Sequence, residues 1–190
     1  MKIDFITSRQ SDERLMQKAA KGSERAFEEL YNRYARRLKG FFSRQVSCRD
    51  MASDLTQDVF LRAYAARHTW REGKKVEPWL FTIAYNLCRN TWRHQQVEAE
   101  YMSTAKAEER VTADIEVDID QSMLDKALHD ILETLDEQSR ALFSLRYEEE
   151  LSVSQIAAII GIPEGTVKSR LHKLINNIKQ QLKKYEGKRV

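Results

Sequence analysis

The run LSVSQIAAIIGIPEGTVKSRLHKLINNIKQQLKK, residues 151–184, leaves the chain few folds to choose from. Ile156, Ala157, Ile159 and Ile160 recur at helical spacing, and Ser152 precedes Gln155 in the reciprocal capping pattern that starts a helix. Gly161 ends that helix, because the sharp turn that follows calls for a residue without a Cβ. Pro163 and Glu164 open the next one with a preset φ and a negative charge at its amino end. Two helices joined by a tight glycine turn make a helix-turn-helix. Ala157 and Val167 flank Gly161 at offsets that put small and branched side chains where the two helices cross.

The second of these helices has two faces. Val167, Leu171, Leu174, Ile175, Ile178 and Leu182 follow a 3/4 spacing that points to a core. Lys168, Ser169, His172 and Lys173 point elsewhere, and short hydroxyl and long cationic side chains at the start of such a helix suit base edges and phosphates in a major groove. Residues 168–189 hold eight cations against the single acid Glu186, a footprint suited to phosphates, whereas the net charge of the whole chain is only +3. The alternative, a solvated basic face on an ordinary helix, leaves the agreement of capping, turn chemistry and charge without a reason.

Only 6 Gly and 2 Pro among 190 residues, with 32% charged, favour helices joined by short turns, so the chain reads as all-α. Cys48 and Cys88 lack metal-ligand spacing and read as reduced core thiols, without disulfide or zinc. His68, His94, His129 and His172 are scattered, and no HExxH, glycine-rich phosphate loop or nucleophile motif is present, which argues against an enzyme and gives no cofactor. No apolar run approaches the roughly 18 residues of a membrane span, and MKIDFITSRQ lacks a signal peptide's apolar core, so a cytoplasmic protein without membrane insertion is expected.

Ser11 and Asp12 cap a first helix running to Lys21, and Ser23 caps a second whose stripe of Phe27, Leu30, Tyr31, Tyr34, Leu38, Phe41 and Phe42 is core. Between those positions Arg33, Arg36, Arg37 and Lys39 read as a solvated face. A third helix over 49–67 turns Met51, Leu55, Val59, Phe60 and Ala63 inward and shares its outer side among Asp54, Gln57 and Asp58, either plain surface or a dock for a basic partner helix. A loop carrying Trp70, Arg71, Lys74 and Lys75 leads to a fourth helix over 79–96. There Asn86, Arg89, Asn90 and Arg93 share one face. With Trp70, Trp79 and Trp92 nearby, this is either a surface for unpaired bases or core tryptophans beside solvated arginines.

Residues 97–120 are acidic and lack a sustained apolar period, and a connection that long separates domains: 1–96, a linker at 97–120, and 121–190. The second domain begins with a helix through Leu124, Leu128, Ile131, Leu132 and Leu135. Asp136 caps the next, with Leu142, Phe143, Leu145 and Tyr147 as core.

Four stretches, KGSERAFEELYNRY (21–34), DLTQDVFLRAY (54–64), WLFTIAYNLCRNTWR (79–93) and LDEQSRALFSLRYEEELSVSQIAAIIGIPEGTVKSRLHKL (135–174), occur in the order and spacing of a known family. The chain resembles the bacterial group IV, or extracytoplasmic-function, sigma factors of RNA polymerase. The resemblance implies two helical domains, sigma-2 and sigma-4, joined by a flexible acidic linker. It implies that Asp54, Gln57 and Asp58 grip the coiled coil of the largest subunit of core RNA polymerase. Trp70 and the loop to Pro78 would capture a flipped base of the promoter's minus-10 element, with Trp79, Asn86, Arg89 and Arg93 completing that site. Lys168, Ser169, His172 and Lys173 would read the minus-35 element, with Arg146 and Thr166 at phosphates or groove. RNA synthesis would belong to the core enzyme, and an anti-sigma factor is an expected partner. Asn90, Val76 and Ser53 stand where the family often has an acid, an aromatic and a Glu, which leaves the promoter sequence open. A rival reading, a two-domain regulator binding DNA without polymerase, shares the helix-turn-helix but gives no account of DLTQDVFLRAY followed by WLFTIAYNLCRNTWR.

Overall fold

Four helices, capped by Ser11, Ser23, Asp136 and Ser152, start where the sequence supplies a side-chain oxygen for orphan backbone donors. In the computed structural model, which describes residues 10–46, 48–102 and 123–187, Ser11 accepts from the Arg14 amide to open α1 (Asp12–Ala20), and Ser23 accepts from Ala26 to open α2 (Glu24–Gln45). Then follow α3 (Arg49–Ala66), a 3-10 turn at Arg67–Thr69, and α4 (Val76–Met102). The second unit comprises α5 (Met123–Glu133), α6 (Glu137–Phe143), a π turn at Ser144–Glu148, α7 (Val153–Ile160) and α8 (Glu164–Gly187). The described residues contain no strand, so the all-α reading holds.

The core of the first unit is aromatic. Phe41 meets Phe42 and Phe81 at centroid distances of 5.7 Å in edge geometry, the arrangement ring quadrupoles favour. Tyr31, expected in this core, is exposed and lies at its rim, its ring tilted against Phe60 at 4.6 Å. Met51 is likewise exposed; Ala52 and Thr56 take the buried positions of α3, and the Thr56 hydroxyl is satisfied by donating to the Ala52 carbonyl at 2.7 Å. A small residue there lets α3 approach its neighbours closely, which an inward Met51 would prevent. Cys48 is exposed at the amino end of α3, not a core thiol, whereas Cys88 is fully buried.

The basic face expected on α2 is only half solvated. Arg36 and Lys39 are exposed, but Arg33 pairs with Asp12 at 2.6 Å and Glu29 at 2.9 Å, and Arg37 pairs with Glu77 at 2.6 Å and Glu149 at 2.8 Å. Tyr34 donates its hydroxyl to Asp12 as well; burial together with that carboxylate pushes the phenol well above its ordinary value, so it remains a donor. Apart from Glu29, four positions earlier on α2, these partners come from other parts of the chain, which is why spacing along α2 alone could not reveal them.

Helix α4 starts before Trp79, because Pro78 fits a first turn whose amides have no intrahelical partner, and it continues to Met102 through the first part of the stretch read as linker. Residues 103–120 of that stretch lie outside the described residues. In the second unit Asp136 caps α6 by accepting from Ser139 at 2.9 Å. The π turn, closed by Glu149 donating to the Ser144 carbonyl at 2.9 Å, then widens the helix by a residue. That extra residue keeps Leu145 buried but rotates Tyr147, expected in the core, to the surface.

The helix-turn-helix forms as its residues require. Ser152 and Gln155 make both bonds of the capping box, and Gly161 closes α7 in the left-handed region at φ 79°, its amide donating to Ala157 at 2.9 Å. Ile156 and Ile159 of α7 pack with Val167, Leu171, Leu174 and Ile178 of α8. The two units also share one continuous apolar cluster: α2 lies against α6, and α4 against α7.

A Cβ at Gly161 would meet nothing within 4 Å, so a substitution there costs backbone conformation alone. Gly161→Ala is expected to lower stability in chemical denaturation by about 1–2 kcal/mol. Gly161→Asn should cost measurably less, because Asn tolerates the left-handed region; equal losses would mean that the cost is steric.

Candidate nucleic-acid interface

Because α8 buries Val167, Leu171 and Leu174, its first turns present Lys168, Ser169, His172 and Lys173 together to solvent. The Ser169 hydroxyl donates back to the Thr166 carbonyl at 3.0 Å, leaving its lone pairs outward. His172 is held from the next turn, its Nε2 lying 2.9 Å from the side-chain nitrogen of Asn176. Asn176 was missed by the sequence reading, and the exposed Arg170 entered it only as one of the eight cations, although both lie within one turn of Lys168, Ser169, His172 and Lys173. Thr166 is half-buried in the first turn of α8. Arg146 is half-buried too, and its Nη1 donates to the Leu151 carbonyl at 2.9 Å, fastening the π turn to the entry of α7.

Asn86, Arg89 and Arg93 follow the same logic on α4. Leu80, Phe81, Ala84, Leu87 and Cys88 go inward, and the amide and two guanidinium groups share an exposed strip. Burial pushes the Cys88 thiol well up, so it is not a nucleophile at neutral pH. The tryptophans lie deeper than that strip. Trp70 is 8% exposed, Trp79 is half-buried, and Trp92 is buried in edge contact with Tyr85 at 5.9 Å. The indole N–H groups of Trp70 and Trp92 meet no acceptor among the described residues. After Trp70 the chain comes to the surface as residues 71–75, tied to α1 by Glu72 accepting from Gln17 at 2.6 Å and by a Lys75–Glu13 pair at 3.2 Å.

On α3 the outward side carries Asp54 and Gln57, both exposed, and the half-buried Asp58. Neither carboxylate has an ion-pair partner among the described residues. Leu61 continues the line at helical spacing and is 68% exposed, the most exposed large apolar side chain described. The sequence reading missed Leu61, yet its signal was the interval from Asp54, Gln57 and Asp58. An unpaired acidic pair beside an uncovered leucine can take a basic partner helix that also brings apolar surface.

Among the described residues no group of His, Cys, Asp or Glu could hold a metal ion, and no helix is long and apolar enough to cross a membrane.

Two family models match the chain: sigma-70 region 2 over residues 30–98, which takes in most of α2 and all of α3, and sigma-70 region 4 over residues 125–174, which takes in the helix-turn-helix. The chain is 32% identical over 171 residues to the RNA polymerase sigma factor CarQ of Myxococcus xanthus, covering 90% of this chain and 97% of that one. It is 30% identical over 175 residues to the ECF RNA polymerase sigma-E factor of Escherichia coli K12, covering 85% and 88%. Among solved structures, the sigma factor RpoE of Bartonella quintana, crystallised with the anti-sigma factor NepR, superposes with a TM-score of 0.65 at 26% identity, covering 83% of this chain and 96% of that one. The regions matched, their order and the full-length likeness together place the chain in the sigma-70 family of RNA polymerase sigma factors, as a member of the extracytoplasmic-function type.

Proposed function

We propose that the protein is an alternative sigma factor that binds core RNA polymerase and directs it to promoters carrying a minus-35 and a minus-10 element. The observation that supports this most strongly is the set of three unsatisfied faces on one chain: acids without partners on α3, an amide and two guanidinium groups on α4, and a cationic reading face on α8. A regulator acting on operator DNA alone would use the third and leave the first two without purpose.

In this reading residues 1–96 form the unit that holds polymerase and the minus-10 element, 97–120 the linker, and 121–190 the unit that reads minus-35. Asp54, Gln57 and Asp58, with Leu61 beside them, receive the coiled coil of the polymerase's largest subunit. Lys168, Ser169, His172 and Lys173 read duplex base edges while Thr166 reaches backbone; Arg146 has guanidinium nitrogens left over for a phosphate. Once the duplex opens, the loop that follows Trp70 captures an extruded minus-10 base, and Trp79, Asn86, Arg89 and Arg93 hold its neighbours. Extrusion costs a few kcal/mol of unstacking, which contacts to the unpaired base offset. Tethering both weak sites through polymerase raises their effective concentration, so neither unit has to find DNA alone. The protein itself catalyses nothing and works in the cytoplasm. As with RpoE, an anti-sigma factor is a fitting regulator.

Asp58→Arg places a cation against a basic coiled coil and is expected to weaken core polymerase binding about tenfold or more in a titration; wild-type affinity would remove α3 from the interface. Lys173→Ala is expected to reduce initiation roughly tenfold at a promoter that depends on its minus-35 element, with core binding unchanged. Undiminished initiation there would exclude Lys173 from the reading face.

A further inference from the structure

One hydrogen bond on the outward face of α8 joins side chains from successive turns. The side-chain nitrogen of Asn176 lies 2.9 Å from Nε2 of His172, and both residues are exposed. At about 100° per residue, Asn176 falls roughly 20° from Ser169 around the helix axis, opposite the buried line of Val167, Leu171, Leu174 and Ile178. It therefore stands at the middle of the exposed face, between the directions of His172 and Lys173. Among the described residues neither side chain of the pair has a second hydrogen-bond partner. One position along, Gln181 donates to Asn177 Oδ1 at 3.0 Å, so α8 supports bonds of this spacing more than once.

A primary amide carries one acceptor oxygen and two N–H donors, and only one of those hydrogens shares an edge with the oxygen. The other points away from that edge. A partner that accepts the second hydrogen leaves an oxygen and an N–H side by side, facing the same way. In a major groove that acceptor and donor pair fits both atoms of a single base, adenine, whose N6 donates and whose N7 accepts. Guanine offers two acceptors on its edge, and the pyrimidines offer one polar group each.

We propose that Asn176 reads an adenine of the minus-35 element through Oδ1 and one amide hydrogen, and that His172 holds it for that contact by accepting the other hydrogen at Nε2. The proposal rests on the sigma-factor reading for which DNA is read, but not for the pairing itself. An amide nitrogen donates and does not accept, so in this arrangement the ring carries its proton on Nδ1. His172 is thereby a positioning residue for Asn176, in addition to facing the groove itself. An untethered asparagine can offer either edge of its amide; the bond to His172 removes that freedom before DNA arrives, so less ordering is left to the binding step.

The test is initiation by core RNA polymerase with the full-length protein on templates whose minus-35 element is randomised, read as the base preference at each position. Wild-type protein should favour adenine about tenfold at one position, and Asn176→Ala should cut that preference to about twofold or less while leaving the other positions as they were. His172→Leu should weaken the same preference. His172→Gln, whose amide oxygen can accept across the same turn, should restore most of it. In the free protein, nitrogen NMR of the neutral His172 ring should place the proton on Nδ1. An unchanged base profile in Asn176→Ala, or a proton on Nε2 of that ring, would overturn the proposal. If the wild type starts no transcription, selection of the same randomised duplexes by the protein alone decides. Adenine enriched by the wild type and lost in Asn176→Ala would uphold the pair and overturn the sigma-factor reading, and no such enrichment would overturn both.

Discussion

The buried side of α4 is the constraint on which the rest depends. Val76, Leu80, Phe81, Ala84 and Cys88 are almost wholly excluded from water, and α4 touches α1, α2 and α3 on one side and α7 on another. Each such large apolar side chain contributes roughly 1.5–3 kcal/mol relative to exposure, so the rotation of the helix about its axis is fixed by several independent contacts. With that rotation fixed, only one strip remains outward. It carries Asn86, Arg89 and Arg93, and the face proposed for unpaired bases is thus a by-product of core packing rather than of any local contact among those three. The same reasoning applies to α8, where burying Val167, Leu171 and Leu174 turns Lys168, Ser169, His172 and Lys173 to one side.

Local chemistry was legible in the sequence and tertiary chemistry was not. Caps at Ser11, Ser23, Asp136 and Ser152 and the left-handed turn at Gly161 follow from residues a few positions apart, and all form as read. Apolar spacing located every helix but not the edge of each stripe. Tyr31, Met51 and Tyr147 sit at such edges, and which of them goes inward depends on what another helix leaves room for. Arg33 and Arg37 look like solvated cations in sequence because, Glu29 aside, their acids lie on other elements, Glu149 more than a hundred residues away. The π turn had no signal in composition or spacing. Of the candidate interface, the outward placing of the α8 face and of the α3 acids could be read directly, whereas the depth of Trp70 beneath the surface could not, since aromatic rings suit a core and a stacking platform equally well.

The arrangement divides labour between strong and weak interactions. Apolar burial fixes each unit internally and also joins the two through α2 on α6 and α4 on α7, while the polar contacts between units are a few ion pairs, of which the one at Glu149 is desolvated.

The most direct measurement is transcription by sigma-free core RNA polymerase from a pool of genomic fragments, with and without the purified protein. The account predicts discrete start sites that appear only when the protein is present, each preceded by two shared sequence elements at a constant spacing. Start sites unchanged by the protein, with saturable binding to duplex operators in the absence of polymerase, would contradict it and return the helix-turn-helix to a regulator that works alone.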